Sequence, residues 1–289
     1  QRQMCIRDRL YNNIYDTQMK NLGYLVYFIS LLVISSFSHN AVGQEVVITT
    51  SEGVMKARLY ENVPNHVKTF IERARSGAFD GTLFSRVIPG FIIQGGSPDS
   101  RNASPGARIG YGDRSSEIMP EMRPEYFFKK GTLAAPRQND DINPKKKSDM
   151  SQFFIVQGKV YRSGELDTLE KVQNYKIRQK ALDLFYRPVR TELQMLKTDN
   201  PKSFNKRVAS INAQIDSMIL ATPGHLIFTK EQREAYTTIG GCHSLDGQYT
   251  IFGELTEGFD ILDRIANQKR DKYDRPLKDV KIISIRIKN

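Results

Sequence analysis

Phe84-Ser85-Arg86-Val87-Ile88-Pro89-Gly90-Phe91-Ile92-Ile93-Gln94-Gly95-Gly96 is the stretch on which the reading of this 289-residue chain turns. Short apolar runs enclose a single cation, Arg86, and are punctuated by Pro and Gly. A cation set in apolar text needs a partner or a purpose, because burying an unpaired charge is costly. The Gly95-Gly96 pair has no helix after it and no P-loop lysine, so it is no phosphate cradle. Around this stretch, residues 81–160 alternate apolar runs with Gly-, Pro- and Ser-rich loops, the pattern of a barrel or sandwich with long connections.

Outward toward the N-terminus, Val46-Val47-Ile48 and Val54 to Tyr60 flank the turn text Thr50-Ser51-Glu52-Gly53 and read as paired strands. Pro64-Asn65 opens a helix with Val67, Phe70, Ile71 and Ala74 at i, i+3, i+4, i+7, and Gly77 ends it. Toward the C-terminus, residues 162–220 are helical text. Phe204, Val208, Ile211, Ile215 and Met218 form a heptad seam, and Ile177, Ala181, Leu184 and Phe185 a comparable stripe before it. Pro188 bends or ends the first helix and Asn200-Pro201 starts the next, so a helical hairpin is expected. Strand text returns at Tyr249-Thr250-Ile251-Phe252. A helix follows with Phe259, Ile261, Leu262 and Ile265 inward. The last strand, Val280 to Ile287, slips its alternation between Ile282 and Ile283, which predicts a bulge.

Composition narrows the class. Hydrophobic residues at 39% with 15 Phe and 13 Tyr build a core, which excludes wholesale disorder. The formal charge of +11 favours acidic surfaces but names no partner. Two cysteines support neither a disulfide framework nor a cysteine zinc site, and Cys242 reads as a small packed residue. His66, His225 and His243 lie at no metal-ligand spacing, and Ser104 and Ser151 have no nearby histidine to activate them. Residues 1–18 read as upstream sequence outside the native chain. Met19, Lys20, the apolar run Leu22 to Ile34 and Ala41-Val42-Gly43 read as a signal peptide over 19–43. The run is short of the ~20 residues that span hydrocarbon, so no membrane anchor is expected after cleavage. These features predict an exported protein, periplasmic or secreted.

The Phe84–Gly96 stretch resembles the central motif of the cyclophilin family of peptidyl-prolyl isomerases. Ser151-Gln152-Phe153-Phe154-Ile155 resembles a second family motif, and Leu245-Asp246-Gly247 before Phe252-Gly253 a third. Gly131-Thr132-Leu133-Ala134 fits the strand before the active-site loop. Order and spacing agree over 45–160 and 236–289. The resemblance implies a mainly β fold: an eight-stranded antiparallel barrel capped by two helices, here with a helical hairpin inserted at 162–233 of a domain spanning 44–289.

It also implies a chemistry that needs no metal and no cofactor. Rotation about a peptide bond costs ~18–20 kcal/mol, and X-Pro exchange stays slow even though proline narrows the trans preference. A catalyst must grip the ring in an apolar pocket and stabilise a twisted amide with a fixed donor. By resemblance Arg86 is that donor, and Arg86, Phe91, Gln94 and Phe154 form the catalytic set. Ile92, Pro136, Arg137, Gln152, Leu245 and Tyr249 are implied to bind substrate. Ser85 and Tyr249 stand where many members carry His, Arg137 where they carry Asn, and Ser244 where drug-binding relatives carry an aromatic.

The implied partners are proline-containing unfolded or nascent polypeptides. Nucleic acid is not expected, because export and the lack of aromatics on a basic stripe oppose it. For the insert three readings stand open: an arm for unfolded chains, a docking site for an envelope protein, or a decoration folded on itself. The competing function for the whole chain is a binding module or holdase that works through the insert without turnover.

Overall fold

The computed structural model describes residues 43–288, so the expectations for 1–42 lie outside the described residues. Strands β1 (Glu45–Thr50), β2 (Gly53–Leu59), β3 (Phe84–Val87), β4 (Ile92–Gly95), β6 (Thr132–Ala134), β8 (Phe153–Val156), β9 (Ile251–Glu257) and β10 (Ile282–Ile287) form one antiparallel sheet in the order β10-β1-β2-β9-β6-β8-β4-β3. A bridge between Leu83 and Lys281 and the bond from Phe84 N–H to Val280 O at 2.9 Å draw the two edge strands together. The sheet thereby becomes a nearly closed barrel, which leaves few unpaired edge groups. A short pair, β5 (Glu117–Ile118) with β7 (Ser148–Asp149), lies outside it. The slip at the C-terminal strand is a bulge as expected: Thr49 faces Ser284 and Thr50 faces Ile282, leaving Ile283 unpaired.

Alternation packs the interior. Val46, Ile48, Met55, Ala57, Ile93, Phe153, Ile155 and Phe252 belong to one buried core. Helix α1 (Pro64–Arg75) adds Phe70 and Ala74 to it, and α6 (Phe259–Ala266) adds Ile261, Leu262 and Ile265. Phe259, expected inward, is 36% exposed instead. It opens α6 just after Gly258, before the helix turns its apolar stripe to the barrel. No side chain of α1 caps its N-terminus. Glu121 does so from outside, accepting the N–H groups of Asn65 and His66 at 3.2 and 2.9 Å.

Four helices lie between β8 and β9: α2 (Ser163–Phe185), α3 (Arg190–Asp199), α4 (Pro201–Ala221) and α5 (Lys230–Thr238). The expected hairpin is α2 against α4, with α3 as an unforeseen helical connection. Ala181, Leu193, Ile211, Ile215 and Ile219 bury one another in a core separate from the barrel's. The chain leaves the barrel at Lys159 and returns at Gly241, and these two residues exchange both backbone hydrogen bonds at 3.0 Å. A Cβ on Gly158 would sit 2.4 Å from the Gly241 backbone, so the two feet meet where only glycine fits. The upper boundary of the helical segment therefore falls near Gly240 rather than Arg233. Among the described residues no helix is long and apolar enough to cross a membrane.

Candidate active site

A single row of side chains crosses the outer face of the barrel. Arg86 on β3 faces Gln94 on β4, Gln94 faces Phe154 on β8, Phe154 faces Ala134 on β6, and Ala134 faces Ile251 on β9. Strict alternation from buried Phe84 would aim Arg86 inward. Phe84 pairs with Gly95 and Arg86 with Gln94, so Ser85 is an extra residue and the bulge turns Arg86 outward while Val87 returns to the core. One inserted residue decides where the cation points.

The strand that carries Gln94 is aligned by a tight turn. Phe91 N–H donates to Ile88 O at 3.1 Å, with Pro89 and Gly90 (φ 72°) between them. Proline at the first central position and a left-handed glycine at the second are what a type II turn requires. Ile92, Phe128, Ala134, Phe154, Val156, Leu245 and Ile251 then make an apolar floor with Phe91 and Tyr249 packed against it. Tyr249 meets Phe154 edge-on, centroids 5.5 Å apart.

A cavity of about 200 Å³ opens over this floor. All ten residues expected at the site line it: Arg86, Phe91, Ile92, Gln94, Pro136, Arg137, Gln152, Phe154, Leu245 and Tyr249. Arg86 is not buried. Its side chain is 43% exposed, pairs with Asp274 at 3.5 Å and lies 5.9 Å from the Phe91 ring. Gln152, implied to bind substrate, is 5% exposed and is hydrogen-bonded to Gln94. Arg137 was implied to bind substrate. Its guanidinium instead braces the wall, donating to Gln248 O at 2.8 Å and stacking 5.0 Å from the Tyr249 ring.

Asp149 is a residue that sequence reasoning missed. The Gln152 amide donates its nitrogen hydrogen to Asp149 Oδ2 at 2.9 Å. That leaves Gln152 Oε1 to receive the Gln94 Nε2 hydrogen at 2.9 Å. The Gln94 carbonyl oxygen is thereby kept for donors in the cavity. An acid beside the Ser-Gln-Phe-Phe motif is the only sequence trace of this chain of bonds.

A second arrangement was also unforeseen. Glu121, His66 and Ser148 form a line, with His66 Nδ1 2.6 Å from Glu121 Oε2 and His66 Nε2 2.9 Å from Ser148 Oγ. It has the outline of a nucleophile, base and acid, but His66 is 0% and Ser148 1% exposed, so no substrate reaches it. Burial disfavours the charged ring and lowers the His66 pKa, against the pull of Glu121. Burial alone would raise the Glu121 pKa, yet the hydrogen bonds from His66 and Asn65 prevail and hold it low. The line clasps α1 to β7, beside Asp149.

The far wall is tied to the inserted helices. Tyr236 on α5 donates its hydroxyl to Asp246 Oδ2 at 2.6 Å, and Asp246 Oδ1 accepts Phe128 N–H at 2.8 Å. Burial pushes the Asp246 carboxyl up to about 6 against both bonds, and burial likewise raises the Tyr236 phenol. Asp246 adjoins Leu245 of the cavity wall. Among the described residues no group of His, Cys, Asp or Glu is arranged to hold a metal.

The family described as cyclophilin-type peptidyl-prolyl cis-trans isomerase matches residues 45–177 and 194–287, most of the chain. A Staphylococcus epidermidis protein provisionally named a peptidyl-prolyl cis-trans isomerase is 28% identical over 242 residues, covering 83% of this chain and 90% of that protein. A Streptococcus pyogenes protein provisionally named a bifunctional phosphatase/peptidyl-prolyl cis-trans isomerase is 26% identical and covers 86% of this chain but 39% of its own length. The crystal structure of a Cryptosporidium parvum cyclophilin-type isomerase is 21% identical, with a TM-score of 0.48 and coverage of 85% and 98% of the two chains.

Proposed function

The chain belongs to the cyclophilin-type peptidyl-prolyl cis-trans isomerases, and within that activity we propose the following division of labour for an exported folding catalyst. The proline ring enters the apolar part of the cavity over Phe154, with Phe91, Ile92, Leu245 and Tyr249 around it. Arg86 donates toward the prolyl nitrogen and the rotating carbonyl, stabilising the twisted amide in which C–N conjugation is lost. Gln94 orients the partners of that donor through its free carbonyl, and Pro136 and Arg137 edge the path of the substrate backbone. No covalent bond forms or breaks. The observation that carries this reading is the bulge at Ser85, which sets Arg86 directly across from Gln94 above an apolar floor.

Export is supported by the sequence over residues 19–43, and clients would then be proline-containing chains folding outside the cytoplasm. The test is a proline-limited refolding assay with protein beginning at Gln44, alongside mass spectrometry of the exported form. Accelerated refolding and a start near Gln44 are expected. A retained Met19 would remove the export reading, and unaccelerated refolding the folding role.

A second role, holding unfolded chains, is favoured by the exposed apolar side chains of α2, Val172, Tyr175 and Leu184. Replacing Val172 and Tyr175 with Glu should weaken suppression of aggregation while tetrapeptide turnover persists. An envelope protein docking there is the alternative occupant. Unchanged aggregation behaviour would leave the insert a self-contained decoration.

A further inference from the structure

The proline cavity does not end at its own rim. A second depression, of about 310 Å³, adjoins it, and Arg114, Glu117 and Gln138 line both. The outer wall of the second depression is a loop that supplies Ile142, Asn143, Pro144, Lys145 and Lys147.

This loop is built rather than slack. Asn143 is 8% exposed and clamps Lys147 twice, accepting its N–H at 3.0 Å and donating to its carbonyl at 2.8 Å. Asn143 N–H donates in turn to Asn139 O at 2.8 Å. At the loop's other side, Arg137 Nη1 donates to Asp140 Oδ1, and Lys146 Nζ donates to Gln248 Oε1 at 2.9 Å and pairs with Asp140 at 3.7 Å.

Those bonds sort the charges. Arg137 and Lys146 share the carboxylate of Asp140, and none of the three lines the depression, whereas Arg114, Lys145 and Lys147 form no ion pair among the described residues. Three cations thus line one recess against a single carboxylate, Glu117. Of the cations that line the proline cavity but not this recess, Arg86 is paired with Asp274 and Arg137 with Asp140. A surplus of positive charge in a concave wall of fixed backbone concentrates anions locally.

We infer that this recess is a charged subsite for the client polypeptide, taking an Asp or Glu side chain near the isomerised proline on the same groove. The inference rests on the isomerase reading of the adjoining cavity. Ile142, 61% exposed at the lip, offers the methylene stem of such a residue an apolar contact.

The test is a set of peptides with one fixed X-Pro bond and Glu or Gln placed at each of the three positions before and after it. Binding is measured by NMR titration and turnover by exchange spectroscopy. At one position Glu should bind about three- to tenfold more tightly than Gln at low ionic strength, the scale of a few exposed charge contacts. That ratio should shrink toward one near ~1 M salt, where screening is short-ranged. In Lys145→Glu combined with Lys147→Glu it should fall to one or invert. Equal binding of Glu and Gln at every position would overturn the subsite, whatever the turnover. Absence of turnover with a charge preference intact would instead strike the isomerase reading and leave the subsite standing.

Discussion

The barrel face and the inserted helices are built by opposite means. The barrel face draws Arg86, Gln94, Phe154, Ala134 and Ile251 from five strands, brought into one row only by strand register. The insert buries Ala181, Leu193, Ile211, Ile215 and Ile219 against one another, within one continuous stretch of chain. A one-residue change of register would dismantle the first and leave the second untouched. The residues proposed to carry the function lie where long-range order is strict, and the locally folded segment is joined to the barrel at few points. The joint is a third small core, Tyr161, Leu166, Phe228 and Tyr236, plus the hydrogen bond from Tyr236 to Asp246.

The largest expected effect falls on the barrel side alone. Arg86→Ala should lower turnover on a tetrapeptide by about a hundred- to a thousandfold, the usual cost of one preorganised electrostatic donor. The side chain is half exposed and holds only the 3.5 Å pair with Asp274, so the thermal midpoint should stay near that of the parent. Circular dichroism melts and exchange spectroscopy on one preparation check both halves. Turnover at the parental rate would remove Arg86 from the mechanism and with it the meaning given to the Ser85 bulge.

How much of this was legible beforehand follows the same division. The seam Phe204, Val208, Ile211, Ile215 and Met218 was readable because a helix writes its packing in its own sequence. The ten cavity residues were readable only because three motifs keep their order; periodicity alone does not place Leu245 beside Ile92. The bulge at Ser85 left only a small mark, the two polar residues Ser85-Arg86 between apolar Phe84 and Val87, which strict alternation does not produce. Asp149 drew no reading from the sequence, and its role depends on the amides of buried Gln152 and half-buried Gln94 that it orients. Helix α3 was missed because Pro188 read as an ending, although proline is tolerated in the first turn of a new helical segment, and a 3-10 turn at Arg187–Val189 leads straight into α3. Tyr236 was assigned to the returning barrel text, whereas it lies on a helix of the insert.

A smaller effect tests whether the joint couples the two regions. Tyr236→Phe removes a hydroxyl and leaves the Asp246 carboxyl with Phe128 N–H as its remaining donor. Losing one partner of a buried hydrogen bond costs about 1–3 kcal/mol. Amide hydrogen exchange should show lower protection in α5 and also in the Leu245–Tyr249 wall, accompanied by a modest rise in KM for peptide. Protection lost in α5 alone would show that the insert is attached to the barrel without acting on the cavity.

The smallest effect is a slope. Burial raises the Asp246 pKa from 3.8 to about 6, so the folded state holds that proton more tightly than the unfolded chain does. The resulting stabilisation is complete below pH 3.8 and is lost as pH rises through about 6. His66 works in the other direction. Its pKa is lowered from 6.5, so the unfolded chain binds the proton more readily and stability falls as pH drops below that value. The two trends overlap between the two carboxylate values and partly cancel in the parent protein. Asp246→Asn removes one of them while its amide oxygen still accepts from Phe128 N–H and its nitrogen can donate to Tyr236. Urea unfolding at a series of pH values should therefore give the variant a stability that rises more steeply from pH 4 to 7 than the parent's. The difference in slope is at most about 1.4 kcal/mol per pH unit, the limit for a single proton. Because the two proteins share His66, Glu121 and every other titrating group, subtraction isolates Asp246. Parallel curves would mean that Asp246 titrates alike in the folded and unfolded states, and the joint would then be held by packing of Tyr161, Phe228 and Tyr236 rather than by the buried carboxyl.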